Sequence, residues 1–250
     1  GYLQVWSSVT GKLSCIMQYS DLGPILAMVN VKGDPSPNDS RLWLGSDKVV
    51  RIFDYATEKI VGSFSTSVVV RSMLHCTPSQ DVWIGGRNDN LLHIYHNRPP
   101  YASRISLSGH TGPILHLDMI EYDVGSGEKE GAKIMSTYCI VASCSFDQSV
   151  IIWNARTKEK MQTLVGVHCD SIRTSSFLHI LDKKLGIGMW LASRDRRISM
   201  WISFPEFLRE ATGKGRRSLK LTSMRRPVSR VKVTDREVSF TKTPVAAQYQ

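Results

Sequence analysis

The hydrophobic and polar positions of this chain fall into one motif that recurs along its length. It is clearest from Val141 to Asn154, VASCSFDQSVIIWN: a short apolar run, a serine-rich step, an aspartate, a β-branched run and a terminal tryptophan. Two such runs joined by a short polar step predict antiparallel strands with a tight turn between them. The pattern closes on Phe53 in RLWLGSDKVVRIFDY, on Tyr95 in DVWIGGRNDNLLHIYH and on Trp201 in MWLASRDRRISMWIS, and Gly1 to Trp6 reads as the end of an earlier copy. The aromatic ends Trp6, Phe53, Tyr95, Trp153 and Trp201 lie 47, 42, 58 and 48 residues apart.

A period of roughly 40 to 50 residues with four strands per copy predicts an all-β propeller. The copies divide the chain into 1–20, 21–66, 67–108, 109–165 and 166–203, followed by 204–250. Residues 1–20 supply only the third and fourth strands of a repeat. The second repeat carries ILAMVNV, RLWLGS, VVRIFDY and KIVGSFS, with KGDPSPNDS as a turn-forming linker. The third carries VVVRSMLHC, DVWIGG, LLHIYH and SRISLS, and Gly85 and Gly86 predict a bulge or a close backbone approach. The fourth holds the insertion EYDVGSGEKEGAK, expected to be a mobile rim loop, and the fifth offers three strands, SIRTSSFLHIL, IGMWLAS and RRISMWIS. A short helix is expected from about Pro205 to Gly213. After it a basic tail is expected to be disordered, with additional strands from SLKLTS, SRVKVT and EVSFTK as the alternative.

The fourth repeat combines Gly109 and His110, Ser143 and Ser145, Asp147 in the turn, and Trp153 with Asn154. This combination resembles the WD-repeat β-propellers. The resemblance implies a hydrogen-bonded chain through His110, Asp147, one of Ser143 or Ser145, and Trp153, and in the fifth repeat through His168, Ser193, Asp195 and Trp201. The chemistry suits it, because a buried carboxylate is costly unless it accepts hydrogen bonds, and imidazole and turn N–H groups are suitable donors. The second and third repeats lack the glycine-histidine pair and end on Phe53 with Asp54 and Tyr95 with His96. Propellers of this family typically have seven blades, so an incomplete propeller is expected, about four blades and a half, with further blades upstream. The missing initiator methionine points the same way. The second strands LWLG, VWIG and MWLA resemble those of C-terminal propellers in large cytosolic signalling and trafficking proteins such as DENN-domain Rab exchange factors and leucine-rich-repeat Roco kinases. That resemblance implies exchange or kinase activity outside these residues.

Composition narrows the function by exclusion. Cys15, Cys76, Cys139, Cys144 and Cys169 are odd in number and form no C-x-x-C pair, which favours reduced core thiols over a disulfide framework or a metal cluster. His93 and His96 are three apart in a strand, so they point to opposite faces and do not chelate one ion. No metal, cofactor or small-molecule substrate is expected. No Gly-x-Ser-x-Gly elbow, phosphate-cradling loop or kinase signature occurs, and His110 with Asp147 is read as structural rather than catalytic, so the chain is expected not to be an enzyme. The net charge of +10 is concentrated in the tail, where 11 Lys and Arg face 4 Asp and Glu between residues 204 and 250.

These features predict a cytoplasmic, non-catalytic scaffold of signalling or vesicle trafficking that binds proteins through its rim loops, with Arg87, Tyr101, Arg194 and Arg196 as anchors. Other domains of the same parent chain are further expected partners. The alternative is an adaptor that meets anionic membranes or RNA through the basic tail. Ser218, Ser229 and Thr243 are candidate phosphorylation sites from their arginine or proline neighbours, and phosphate there would cancel part of the tail's charge.

Overall fold

Apolar runs of five to eight residues, broken by Gly, Asx and Ser turns, become strands throughout. The computed structural model describes residues 2–18, 23–32, 40–125, 135–179, 187–203, 230–234 and 237–239. The chain divides into two compact units, Gly1–Ser106 and Leu107–Gln250.

The first unit begins with the pair β1 (Tyr2–Trp6) and β2 (Leu13–Gln18). Two four-stranded sheets follow in chain order, β3 (Ile25–Val31), β4 (Arg41–Ser46), β5 (Val49–Asp54) and β6 (Lys59–Ser65), then β7 (Val69–Cys76), β8 (Asp81–Arg87), β9 (Leu92–His96) and β10 (Ser103–Leu107). The second unit holds β11 (Ile114–Gly125), β12 (Met135–Ser145), β13 (Val150–Asn154) and β14 (Lys160–Leu164) in one sheet. Its other sheet comprises β15 (Ile172–His179), β16 (Ile187–Ser193), β17 (Ile198–Ser203), β18 (Arg230–Thr234) and β19 (Glu237–Ser239).

Burial follows from stacking. A middle strand covered on both faces reads as continuous apolar sequence, as in VWIGG of β8, LHIY of β9 and VIIW of β13, all buried. An outer strand keeps one face wet, and β6 alternates exposed and half-buried residues along its whole length. Within the first unit Trp43, Val50, Ile52, Val70, Val82 and Ile84 share one core, and Leu3 packs with Leu44 and Phe53 in another. Within the second, Ile140, Ile152, Ile172, Leu191 and Trp201 belong to a common core.

Register irregularities repeat with the sequence. Each of the four inner strands bulges at its second or third residue, between Ile25 and Ala27, Val70 and Ser72, Ile114 and His116, and Ile172 and Thr174. A second irregularity precedes the terminal aromatic, between Val5 and Trp6, Ile52 and Phe53, and Ile152 and Trp153. The irregularity between β1 and β2 thus falls at the same place as those between β5 and β6 and between β13 and β14.

Two expectations are corrected. The segment read as a mobile loop in the fourth repeat is strand at its flanks, because β11 and β12 stay paired as far as Gly125 with Met135; the runs IEYDV and MSTYC are β-prone and extend the hairpin. The tail is not wholly disordered. Ile198 and Ser199 of β17 pair with Val231 and Arg230, so β18 supplies the fourth strand that the fifth repeat lacks, and β19 pairs on β18. An outer edge of β17 with unpaired N–H and C=O groups favours such a strand, and RVKVT has the period-2 pattern to provide it. The expected helix after Pro205, and Ser218, Ser229 and Thr243, lie outside the described residues.

His75 on β7 couples the first unit to pH. The Lys32 backbone N–H donates to its Nδ1 at 3.4 Å, and its buried Nε2 has no partner. Burial, reinforced by Lys32 and opposed by Asp81, lowers its pKa from 6.5 to about 4. The unfolded chain then takes up a proton that the folded chain refuses, so this contribution to stability is present above pH 6.5 and is lost as pH falls toward 4. Urea unfolding between pH 7 and 4 should show a falling midpoint in the parent and a shallower fall in His75→Leu; equal slopes would remove His75 as the cause.

Candidate functional site

The fourth repeat concentrates polar chemistry between β11, β12 and β13. The turn after β12 places Asp147 below the segment that leads into β11, and the His110 Nδ1–H donates to Asp147 Oδ2 at 3.0 Å. The Ser143 hydroxyl meets His110 Nε2 at 2.8 Å and accepts the Trp153 Nε1–H at 2.8 Å. The donors then run in one direction, Trp153 to Ser143 to His110 to Asp147, which fixes the imidazole proton on Nδ1. Asp147 also accepts the backbone N–H of Thr111 at 2.8 Å and of Ser149 at 2.9 Å. Burial alone would raise the Asp147 pKa, but the donors His110, Ser149 and Thr111 outweigh it and hold the carboxyl below 3.8. Ser145, the other serine expected as a candidate, is placed differently: its hydroxyl donates to the Gly112 carbonyl at 2.9 Å and accepts the Asp147 N–H at 3.1 Å.

Ser143, His110 and Asp147 have the order and distances of a nucleophile, base and orienting acid. Their burial decides the matter. Ser143 has no exposed surface and its oxygen is already occupied by the Trp153 indole, so no substrate carbonyl reaches it.

The fifth repeat brings His168 and Asp195 together at 3.0 Å, and Ser193 accepts the Asp195 N–H at 3.2 Å. Asp195 further accepts the N–H groups of Cys169 and Arg197, at 3.2 and 3.0 Å. Here too burial is opposed by His168, Cys169 and Arg197, and the carboxyl lies below its ordinary value. Trp201 does not join, contrary to expectation: its Nε1 is buried without a partner. Register supplies the reason. Ser143 pairs with Ile151 across β12 and β13, whereas the equivalent pair in the fifth repeat is Leu191 with Ser199. The hydroxyl has crossed to the neighbouring strand, where Ser199 donates to His168 Nε2 at 2.9 Å but leaves the indole unserved. The double substitution Leu191→Ser/Ser199→Ile should restore the arrangement of the fourth repeat. The Trp201 indole N–H resonance should then move downfield toward that of Trp153 and exchange more slowly with solvent; an unmoved resonance would reject this alignment.

Sequence reasoning gave His93 no role, but the structure surrounds it with partners. It stands four residues after Asp89, as Ser199 stands four after Asp195. Its Nε2 lies 2.8 Å from Asp89 Oδ2 and 3.3 Å from Ser67 Oγ, and its Nδ1 lies 2.9 Å from Ser106 Oγ. The spacing from the turn aspartate was the available signal. Asp54 and Asn154, which follow the aromatic ends, share a local role. Each Oδ1 accepts two backbone N–H groups of the next turn, at 2.8 and 3.0 Å in one case and 2.9 and 3.1 Å in the other. Asp or Asn at this place is an Asx turn.

Of the residues expected to anchor partners, Arg87, Arg194 and Arg196 are exposed at turns between second and third strands. Tyr101 is corrected. It packs edge-on against Trp43 at 5.5 Å and stacks on Phe64 at 5.9 Å, and its hydroxyl accepts from Arg41 Nη1 at 3.4 Å, so it seals the core of the first unit. Phe146, in the turn of the fourth repeat, is half exposed and was missed. Cys76, Cys139 and Cys144 are buried and Cys169 is exposed, none of them in a disulfide; burial pushes Cys144 up to about 12. No group of three or more His, Cys, Asp or Glu suited to a metal ion occurs among the described residues.

No protein-family model and no curated protein matches the chain. Among solved structures it is similar to that of U3-55K, with 19% identity, a TM-score of 0.52 and coverage of 73% of this chain and 49% of that one. It is similar to the crystal structure of the RRP9 WD40 repeats to the same degree, covering 48% of that chain. The fold is therefore the WD-repeat β-propeller, and the chain spans about half the length of these propellers. These similarities support the WD class and lend no support to a DENN or Roco parent.

Proposed function

We propose that this chain is a non-catalytic module that docks protein partners on the turns joining the second and third strands of its blades. One observation carries the reading: the groups arranged as if for chemistry, Ser143, His110 and Asp147, are spent inside a blade, while the large polar and aromatic side chains Arg87, Phe146, Arg194 and Arg196 are exposed on turn tips. Arginine and aromatic residues are the usual anchors of protein interfaces. The WD-repeat fold, common to non-catalytic scaffolds, supports the same reading. Affinity capture from cell extract with the parent chain and with Arg87→Glu, Arg194→Glu and Arg196→Glu tests it. At least one partner should be lost in at least one variant; binding of every partner unchanged across the set would reject the turn assignment.

The second reading, an adaptor driven by the tail, draws on its 11 Lys and Arg against 4 Asp and Glu. Binding to anionic vesicles or RNA that falls steeply with salt supports it, and salt-insensitive or absent binding removes it. The finer parentage, service to an exchange factor or kinase in the same chain, rests on the LWLG, VWIG and MWLA strands alone. Equal activity and oligomeric state of a parent with and without these residues would end it.

A further inference from the structure

The fourth and fifth repeats act as internal controls for each other because their turns have the same backbone. The Phe146 N–H donates to the Pro113 carbonyl at 2.9 Å and the Arg194 N–H to the Ser171 carbonyl at 3.0 Å. Each turn aspartate accepts from a histidine and donates its backbone N–H to a serine hydroxyl, and the residues that follow them, Gln148 and Arg196, are left-handed with φ of 68° and 63°. Four positions on this shared frame differ in one direction. The inner-strand bulge holds Leu115 in one repeat and Arg173 in the other, and the turn holds Phe146, Gln148 and Ser149 against Arg194, Arg196 and Arg197.

All four arginines are exposed. Among the described residues, only Arg194 has a carboxylate within ion-pair reach, Asp170 at 3.8 Å, and that pair is itself well exposed, so it is weak. Asp195 accepts the Arg197 backbone N–H but makes no ion pair with their guanidinium groups. Its side chain is 4% exposed and is turned inward on His168. One turn and the adjoining bulge therefore carry four guanidinium groups with little local compensation.

We propose that this arginine cluster, Arg173, Arg194, Arg196 and Arg197, binds a phosphorylated serine or threonine on a partner protein. The proposal deepens the docking reading above and rests on it. Guanidinium forks match phosphate oxygens in bidentate geometry, and a dianion rewards several of them at one point. The patch is too short for a nucleic acid or a lipid surface, which need a continuous basic track, because the equivalent positions of the fourth repeat are uncharged. The unphosphorylated tail, with 11 Lys and Arg against 4 Asp and Glu, offers the guanidinium groups no complementary charge. Phe146 on the adjacent repeat's turn, half exposed, would suit an apolar side chain flanking the phosphate.

The full chain is titrated against a fluorescein-labelled peptide library with a fixed central phosphoserine or phosphothreonine, and against the unphosphorylated library, by fluorescence anisotropy. The phosphorylated library should bind at least about tenfold more tightly, and the advantage should shrink with salt. Replacing the cluster with the residues of the fourth repeat, R173L/R194F/R196Q/R197S, should cut that affinity by about tenfold or more. If this variant loses its near-ultraviolet tryptophan dichroism, Arg194→Glu/Arg196→Glu gives the same test at two exposed positions. Full binding by a folded variant overturns the proposal. So does equal or tighter binding of single-stranded RNA or phosphatidylserine vesicles that is lost with the same arginines. Should partner capture depend on Arg87 while phosphate makes no difference, the docking module stands and this inference falls; if no variant alters any capture, the docking reading itself has failed.

Discussion

Gly86→Ala should destabilise the first unit by about 3 kcal/mol or more, the cost of forcing a side chain against backbone that cannot yield. A Cβ at this position would lie 2.2 Å from the Val69 carbonyl oxygen and 3.0 Å from its carbon. Gly86 pairs with Val70, opposite the bulge of the inner strand, so relief requires β7 and β8 to part there. Gly45→Ala is the control. Its Cβ would meet Val70 Cγ1 at 2.5 Å, Val70 Cβ at 3.1 Å and Met73 Cε at 3.2 Å, all side-chain atoms, of which the Val70 methyl can turn away and Met73 is adaptable. The expected cost is smaller, about 1 to 2 kcal/mol. Urea unfolding gives the magnitudes, and hydrogen exchange should show protection lost first in β7 and β8 for the Gly86 variant. If the two alanine variants prove equally stable, the backbone approach is not the constraint described.

Gly86 was visible in the sequence because two glycines at the end of an apolar strand have few other uses. The blade pattern was visible for a similar reason: period-2 runs and terminal aromatics are local signals. The network of the fourth repeat was legible because His110, Ser143, Asp147 and Trp153 all keep the family's residue types. In the fifth, the serine moved from the position of Leu191 to its cross-strand partner Ser199, and cross-strand neighbours are not adjacent in sequence. Trp201 therefore looked bonded and is not. Tyr101 follows two prolines and reads as a loop tip, yet a core of Trp43 and Phe64 was available to cover it. The pairing of β18 on β17 was the least legible. Residues 204–229 separate the two strands, and the pairing depends on an open edge that only the folded sheet creates.

His110→Ala should cost about 3 kcal/mol, because it removes one partner from a buried, hydrogen-bonded pair and leaves the other. Asp147 would keep Thr111 and Ser149 but lose its imidazole donor, and the Ser143 hydroxyl would keep only the longer bond to the Ile151 carbonyl, at 3.4 Å. Ser143→Ala should cost less, about 1 to 2 kcal/mol, since it puts Trp153 in the state that Trp201 already tolerates. The sign of the acid response follows from Asp147. Its carboxyl is held below 3.8 in the folded chain by donors that outweigh burial, so its contribution is full above the unfolded value and is lost as pH falls through and below 3.8. The stability gap between the parent and Asp147→Asn, measured by urea unfolding, should therefore be widest near neutral pH and narrow as pH drops past 4. A gap that stayed constant from pH 7 to pH 3 would mean that the carboxylate charge contributes nothing and that the network acts through its neutral hydrogen bonds alone.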